Sequence, residues 1–124
     1  MKAKNKVTIK DLIAKKDLFD SRKNKTTELL ITSLEGTITI RKPSRELCLD
    51  ALEMDKSGDQ YLVYNCVTEP NLKNEELQNE FGCVSPMEIV EKIFEPGEIA
   101  SIAKACVELA GYGDSVKVVD EIKN

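Results

Sequence analysis

The spacing of apolar positions changes several times along the chain, and each change marks an element. Thr8 stands before Ile9, Leu12, Ile13 and Phe19, whose spacing puts most of them on one face of a helix that Thr8 can cap. The polar run from Asp20 to Thr27 breaks that period and reads as a loop, the segment best suited to be mobile. From Leu29 to Ile40 the pattern turns to short runs rich in Ile and Thr around Glu35-Gly36, which predicts two strands joined by a tight turn. Gly36 is expected in the left-handed conformation, closing either a two-residue turn or a three-residue loop with a bulge; the two options pair different residues. Ile38 and Ile40 should face the core and Thr37 and Thr39 the outside. A lone hairpin is marginal, so it must lie on helices.

Pro43-Ser44 ends the strand and opens a helix carrying Leu47, Leu49, Ala51, Leu52 and Met54, which Ser57-Gly58 should stop. A second helix is expected from about Asp59 to the residues before Pro70. Tyr61, Leu62, Val63, Tyr64, Cys66 and Val67 leave it little polar surface, which makes it central. Asn74 can cap a short acidic helix through Glu80, with Gly82 as its stop. Ser85-Pro86-Met87-Glu88 combines a capping side chain, proline at the first helical position and glutamate three residues after the cap. A helix over 85–94 should follow, with Ile89, Val90, Ile93 and Phe94 buried. Glu95-Pro96-Gly97 interrupts the chain, and the next helix runs from Glu98 to about Ala110, ended by Gly111-Tyr112-Gly113. Residues 114–122 fit either a short helix or a strand. These elements define a single α+β domain, mainly helical, with one hairpin: a basic N-terminal helix and flexible loop over 1–27, the hairpin over 28–42 and a helical body over 43–124.

Composition supports folding and narrows function. The chain of 124 residues is 41% hydrophobic and 32% charged, enough apolar side chain to offset ordering entropy. With three Tyr, three Phe and no Trp, the core must rest on aliphatic residues. Charge is unevenly spread: residues 1–25 hold nine Lys/Arg against three Asp, a local charge of +6, leaving the remainder at −10. A basic arm on an acidic body either serves solubility or marks an interaction segment for an acidic partner or its own body. The sequence pI of 5.0 is far from the footprint of a nucleic-acid-binding domain. No segment approaches a membrane span or a signal sequence, so the chain is expected to stay in the cytoplasm where it is made.

No pattern of residues suits catalysis. There is no His to act as base or zinc ligand, and Cys48, Cys66, Cys83 and Cys106 stand far apart beside apolar neighbours, as small buried thiols do. Carboxylate pairs such as Glu75-Glu76 lack calcium-loop spacing, and no glycine-rich string could cradle phosphate. No enzyme, cofactor or metal is expected. The paired helices over 85–110 could imitate a helix-turn-helix reader and make the chain a small DNA-binding regulator, yet the second offers one lysine, Lys104, between Glu98 and that position.

Three strings carry a resemblance: LEGTITIRKP from Leu34 to Pro43, YLVYNCVTEPNL from Tyr61 to Leu72, and IVEKIFEPGEI from Ile89 to Ile99. In this order behind a basic N-terminal segment, they resemble the XkdN-like tail assembly chaperones of bacteriophages and prophages along nearly the whole chain. The resemblance implies a non-catalytic protein of the host cytoplasm that binds the tape measure protein and assists tail tube assembly, with many copies and self-association in keeping. It also implies a family in which a longer form arises by frameshifting, the present chain fitting the short form. It supplies no residue-level binding map. From the residues, Leu12, Ile13 and Phe19 either belong to the core or, with the loop cations Arg22, Lys23 and Lys25, form part of a partner surface.

Overall fold

The computed structural model describes residues 5–119. At its N-terminal end Thr8 and Asp11 close a capping box, the Thr8 Oγ1 accepting from Asp11 N at 3.2 Å and the Asp11 carboxylate from Thr8 N at 2.9 Å. The single first helix expected from the sequence is two: α1, Ile9–Ala14, and α2, Lys16–Ser21, broken at Lys15. The Lys15 N–H is shared between the Asp11 and Leu12 carbonyls, a tightened last turn. Neither helix buries a residue, so no core contact holds the pair in one straight axis.

The loop that follows is shorter than expected. Strand β1, Thr26–Ile31, pairs antiparallel with β2, Gly36–Arg41, from Thr26↔Arg41 to Ile31↔Gly36. The hairpin thus begins two residues before the predicted 28, since β-branched Thr26 and Thr27 extend the ladder. Its connection has four residues, a 3-10 turn over Thr32–Leu34 and then Glu35 at φ 53°, so the left-handed residue is Glu35 and not Gly36. Ile38 and Ile40 point into the core as predicted, with Ile31 beside them, and Thr37 faces out.

A third strand corrects the single hairpin. The helix read as running to Pro70 stops at Cys66, and Val67–Glu69 forms β3 on the far side of β2, with Thr39↔Glu69 and Ile40↔Val67 paired around a bulge. The sheet order is β1-β2-β3. Pro70 disfavours helix at Glu69, and β2 offers an unpaired edge that the extended Val67-Thr68-Glu69 satisfies.

Helix α3, Arg45–Glu53, starts at Ser44, whose hydroxyl accepts from Leu47 N at 3.1 Å. It ends before Ser57-Gly58, which opens the next helix instead of stopping this one: α4 is Gly58–Cys66. A Cβ on residue 58 would lie 2.4 Å from the Ala51 carbonyl oxygen, so glycine lets the two helices meet backbone to backbone. Helix α5, Glu75–Glu80, is capped by Asn74 through Leu77 N at 2.8 Å, and Gly82 leaves it at φ 66°, both as predicted.

The last two starts are displaced from their predicted places. Helix α6, Glu88–Ile93, begins later than Ser85, because Pro86 and Met87 form a turn; Glu88 still reaches back to Ser85 N at 2.8 Å. Helix α7, Pro96–Leu109, begins two residues earlier than Glu98, with Pro96 at its first position and a capping box between Glu95 and Glu98. Gly111 and Gly113, at φ 95° and 116°, end it. Residues 116–118 have no regular structure, and the remainder of the 114–122 helix-or-strand alternative lies partly outside the described residues.

The core lies between the inner sheet face and the helices. Ile31, Ile38 and Ile40 meet Leu62, Val63 and Cys66 of α4, Leu72, Ile89 and Val90, Phe94, and Ile102, Ala103 and Cys106 of α7. Helix α4 is central, packed on α3, α6, α7 and β3. No polar or charged side chain is buried among the described residues.

Candidate functional site

Chemistry offers little to build on. The chain has no His, and among the described residues no three Cys, Asp or Glu side chains gather to hold a metal. All four thiols are free; Cys48, Cys66 and Cys106 are buried and Cys83 is half-buried. Burial pushes the Cys48 thiol up against the opposing pull of Tyr112, and the neighbouring Cys66 thiol together with burial holds Cys106 well above the usual thiol range. Raised thiols such as these two are poor nucleophiles, whereas the interaction with Cys106 holds the buried Cys66 thiol below the usual range.

The N-terminal arm, residues 6–25, shows apolar surface that the body leaves uncovered. Ile9 is 77% exposed and Ile13 71%, and Val7, Leu12 and Leu18 are exposed beside them. Leu12 and Ile13 are therefore not core residues. Phe19 is half-buried, with the Arg22 guanidinium 5.3 Å from its ring centre, a cation–π pair. Lys23 pairs with Asp20 at 3.8 Å, and the Lys25 carbonyl accepts from Lys42 N at 2.8 Å, which fixes the end of the arm to the start of the sheet.

Where the arm joins the sheet the fold assembles a basic cavity of about 550 Å³. Lys23 lines it from the loop, Arg41 from the end of β2 and Lys42 just after it, Arg45 from the first turn of α3, and Tyr112 from beyond α7, with Ser44 and Cys48 also in the lining. No carboxylate lines it, and among the described residues Arg41, Lys42 and Arg45 enter no ion pair. Of the residues singled out from the sequence, Lys23 reaches this cavity, Phe19 and Arg22 stack on each other, and Leu12, Ile13 and Lys25 do not line it. Sequence reasoning missed Arg41, Lys42 and Arg45. Their clustering around Pro43-Ser44 was visible as a basic run, but it was read only as the end of a strand and a helix cap.

Two apolar grooves flank α7. One of about 610 Å³ lies between α3 and α7, with exposed Leu52 and half-buried Met54 and Val107 inside it and Asp55, Lys56, Asp59 and Lys104 among its lining. The other, about 460 Å³, lies between β1 and α7, with Leu29, Leu30, Ile31, Ile102 and Ala105 inside and Glu95 and Glu98 at its edge. The pair α6 and α7 forms the predicted helix-turn-helix-like unit in sequence, yet α7 packs along α4, β1 and β2 and exposes Ala100, Ser101, Lys104 and Glu108, a set with one cation.

Taken together, fold and surface describe a small helix-rich α+β protein with an uncovered apolar arm, a basic cavity and two grooves beside α7. The chain belongs to the phage XkdN-like tail assembly chaperone protein family, whose model matches residues 2–123. It matches no curated protein and no solved structure. Membership gives the chain a role in phage tail assembly and suggests a non-catalytic one, exercised on tail proteins. No helix among the described residues is long and apolar enough to cross a membrane.

Proposed function

We propose that the chain binds the tape measure protein in the host cytoplasm and keeps that long client soluble while tail tube subunits assemble around it. The observation that carries this reading is the uncovered apolar arm beside the basic cavity. An apolar client segment can cover Ile9, Leu12, Ile13 and Phe19, where each aliphatic side chain taken out of water contributes about 1.5–3 kcal/mol before ordering costs. Carboxylates of the same client can meet Arg22, Lys23 and Lys25 and the cavity cations Arg41, Lys42 and Arg45. Binding of this kind, apolar contact with a charged margin, is strong enough to hold and weak enough to release, as an assembly factor requires.

The reading is tested by coexpression with the tape measure protein encoded nearby. The wild-type chain should move that client into the soluble fraction, and the double variant Leu12→Asp with Phe19→Asp should fold, by circular dichroism, and fail to do so. A folded double variant that solubilises the client as well as wild type would place the surface elsewhere. A client whose solubility ignores the wild-type chain would end the proposal.

A further inference from the structure

Three cations of the basic cavity are carried by one short, well-anchored stretch of chain. Arg41 closes β2, Lys42 and Pro43 follow, and Arg45 opens α3. The Pro43 side chain is fully buried, the Lys42 N–H is bonded to the Lys25 carbonyl at 2.8 Å, and the Ser44 hydroxyl caps α3 through Leu47 N at 3.1 Å. The backbone beneath Arg41, Lys42 and Arg45 is thus set before any ligand arrives, which lowers the ordering cost of binding one. Lys23 reaches the same opening from the loop before β1. Like charges gathered in this way repel one another, and Arg41 and Lys42, half-buried, have lost part of their water. Among the described residues no carboxylate lines the cavity, and Lys23 meets Asp20 only at 3.8 Å, an exposed and weak pair.

This set of charges selects the chemistry of an occupant. A carboxylate brings a single negative charge, whereas a phosphoryl group brings about −1.5 to −2 at neutral pH with three strong acceptor oxygens, and two linked phosphoryl groups bring more of both. Arg41 and Arg45 offer planar donor forks suited to phosphate oxygens, and Lys23 and Lys42 add point charges. Ser44 and Arg45 stand at the N-terminal end of α3, nine residues long, whose first-turn N–H groups also favour an anion. The volume of about 550 Å³ lies within the range of small-molecule sites, about 300–1,000 Å³, and exceeds what one phosphate fills. Tyr112, 48% exposed, supplies an aromatic wall. The cations come from side chains and no glycine-rich loop takes part, so no phosphate-cradling string marks the site in the sequence.

We infer that the cavity binds a diphosphate group, either free or at the end of a small organic molecule whose body lies against Tyr112. The two guanidinium groups hold the phosphoryl oxygens, Lys23 and Lys42 neutralise the remaining charge, and the first turn of α3 receives the end of the group. The site does not depend on the client reading, although a client carboxylate and a diphosphate meet the same cations.

Isothermal titration calorimetry and thermal unfolding of the full chain, with no client present and ionic strength held constant, test it with inorganic diphosphate, ADP and adenosine. Diphosphate and ADP should bind and raise the unfolding midpoint, as a ligand selective for the native state does, and adenosine, which lacks the charge, should do neither. Lys23→Gln combined with Arg45→Gln, both on exposed side chains, should keep the wild-type circular dichroism and weaken binding of both anions about tenfold or more. Lys92→Gln, on α6 and outside the cavity, should bind as wild type does. ADP binding tighter than diphosphate, with the margin lost in Tyr112→Ala, assigns the ligand an organic body; equal affinities assign free diphosphate. The inference is overturned if neither anion binds beyond the effect of matched sodium chloride, if the Lys23 and Arg45 double variant binds like wild type, or if Lys92→Gln weakens binding as much as that pair. Client binding is read separately, by solubility of the tape measure protein, so either proposal can fail without the other.

Discussion

At position 58 a single hydrogen atom decides how closely α3 and α4 approach. A Cβ there would sit 2.4 Å from the Ala51 oxygen, a backbone atom that cannot swing aside, so Gly58→Ala must push the two helices apart. We expect it to cost about 1–3 kcal/mol, the usual range for overpacking, measured as a lower urea midpoint. Gly97→Ala is the matched control: that glycine has open space and an ordinary helical backbone, so alanine should be neutral or add about 0.5–1 kcal/mol. Equal effects at the two positions would refute the close-approach argument. The contrast also marks what residue-level reading can reach. Thr8, Ser44 and Asn74 were legible as caps because each bond spans three residues along the chain. Gly58 was read as a stop because its partner, Ala51, is a neighbour only once both helices exist. Gly36 was likewise credited with the left-handed turn that Glu35 takes, since four-residue loops place that conformation by geometry and not by composition.

Elements begin and end where local chemistry competes with the sheet and core. The α7 start shows the competition in one place: Pro96 was read as an interruption, but a proline at the first helical position loses no hydrogen bond, and the Glu95–Glu98 box then closes around it. That box predicts a pH dependence. The Glu98 carboxyl, normally near 4.5, is held lower by Ser33 and by the Glu95 backbone. A depressed carboxyl contributes stability that is present above its unfolded value and is lost as pH falls through the folded one. Wild type should therefore keep a constant urea midpoint from neutral pH down to about 5 and lose stability below that. Glu98→Gln should be less stable at neutral pH, with the gap to wild type closing as acid protonates the native carboxyl; a gap independent of pH would show that the box works by shape and not by charge. Asp11 is depressed in the same way by Thr8, but it sits on the arm, so Asp11→Asn should alter arm helicity and leave the global midpoint in place. Helices α3, α4, α6 and α7 were legible as existing elements because their apolar residues recur at helical spacing, and acidic α5 because Asn74 caps it and Gly82 ends it. Strand β3 was not, since Val67 continues that stripe and only the open edge of β2 turns it into a strand. The break at Lys15 also left no sequence signal, because the apolar spacing of the arm faces solvent and was never disciplined by packing.

On the scale of the whole molecule, the charge asymmetry acquires a location that the sequence could only count. The +6 of the first 25 residues meets Arg41, Lys42 and Arg45 through Lys23, so cations from three stretches of chain converge on one cavity in a protein of net charge −4. Four like charges around one opening, with no lining carboxylate, raise the local potential well above that of scattered lysines and favour an anionic group that enters. For the proposed client contact this predicts salt sensitivity with a specific source. Binding should weaken as salt rises from 0.1 M, where the screening length is about 10 Å, toward 1 M, where it is about 3 Å. Lys23→Glu combined with Arg45→Glu, both exposed and so tolerated by the fold, should weaken binding and flatten much of that dependence. Lys92→Glu on α6 changes the net charge without touching the cavity and should leave the slope as in wild type. The Leu12→Asp variant should behave in the opposite manner to the cavity pair, with lower affinity at every salt concentration and an unchanged slope, because it removes apolar contact and not cavity charge. Titration of the client over that salt range with all four proteins separates the cases. If Lys92→Glu flattens the slope as much as the cavity pair does, the attraction belongs to net charge, and the cavity plays no particular part in it.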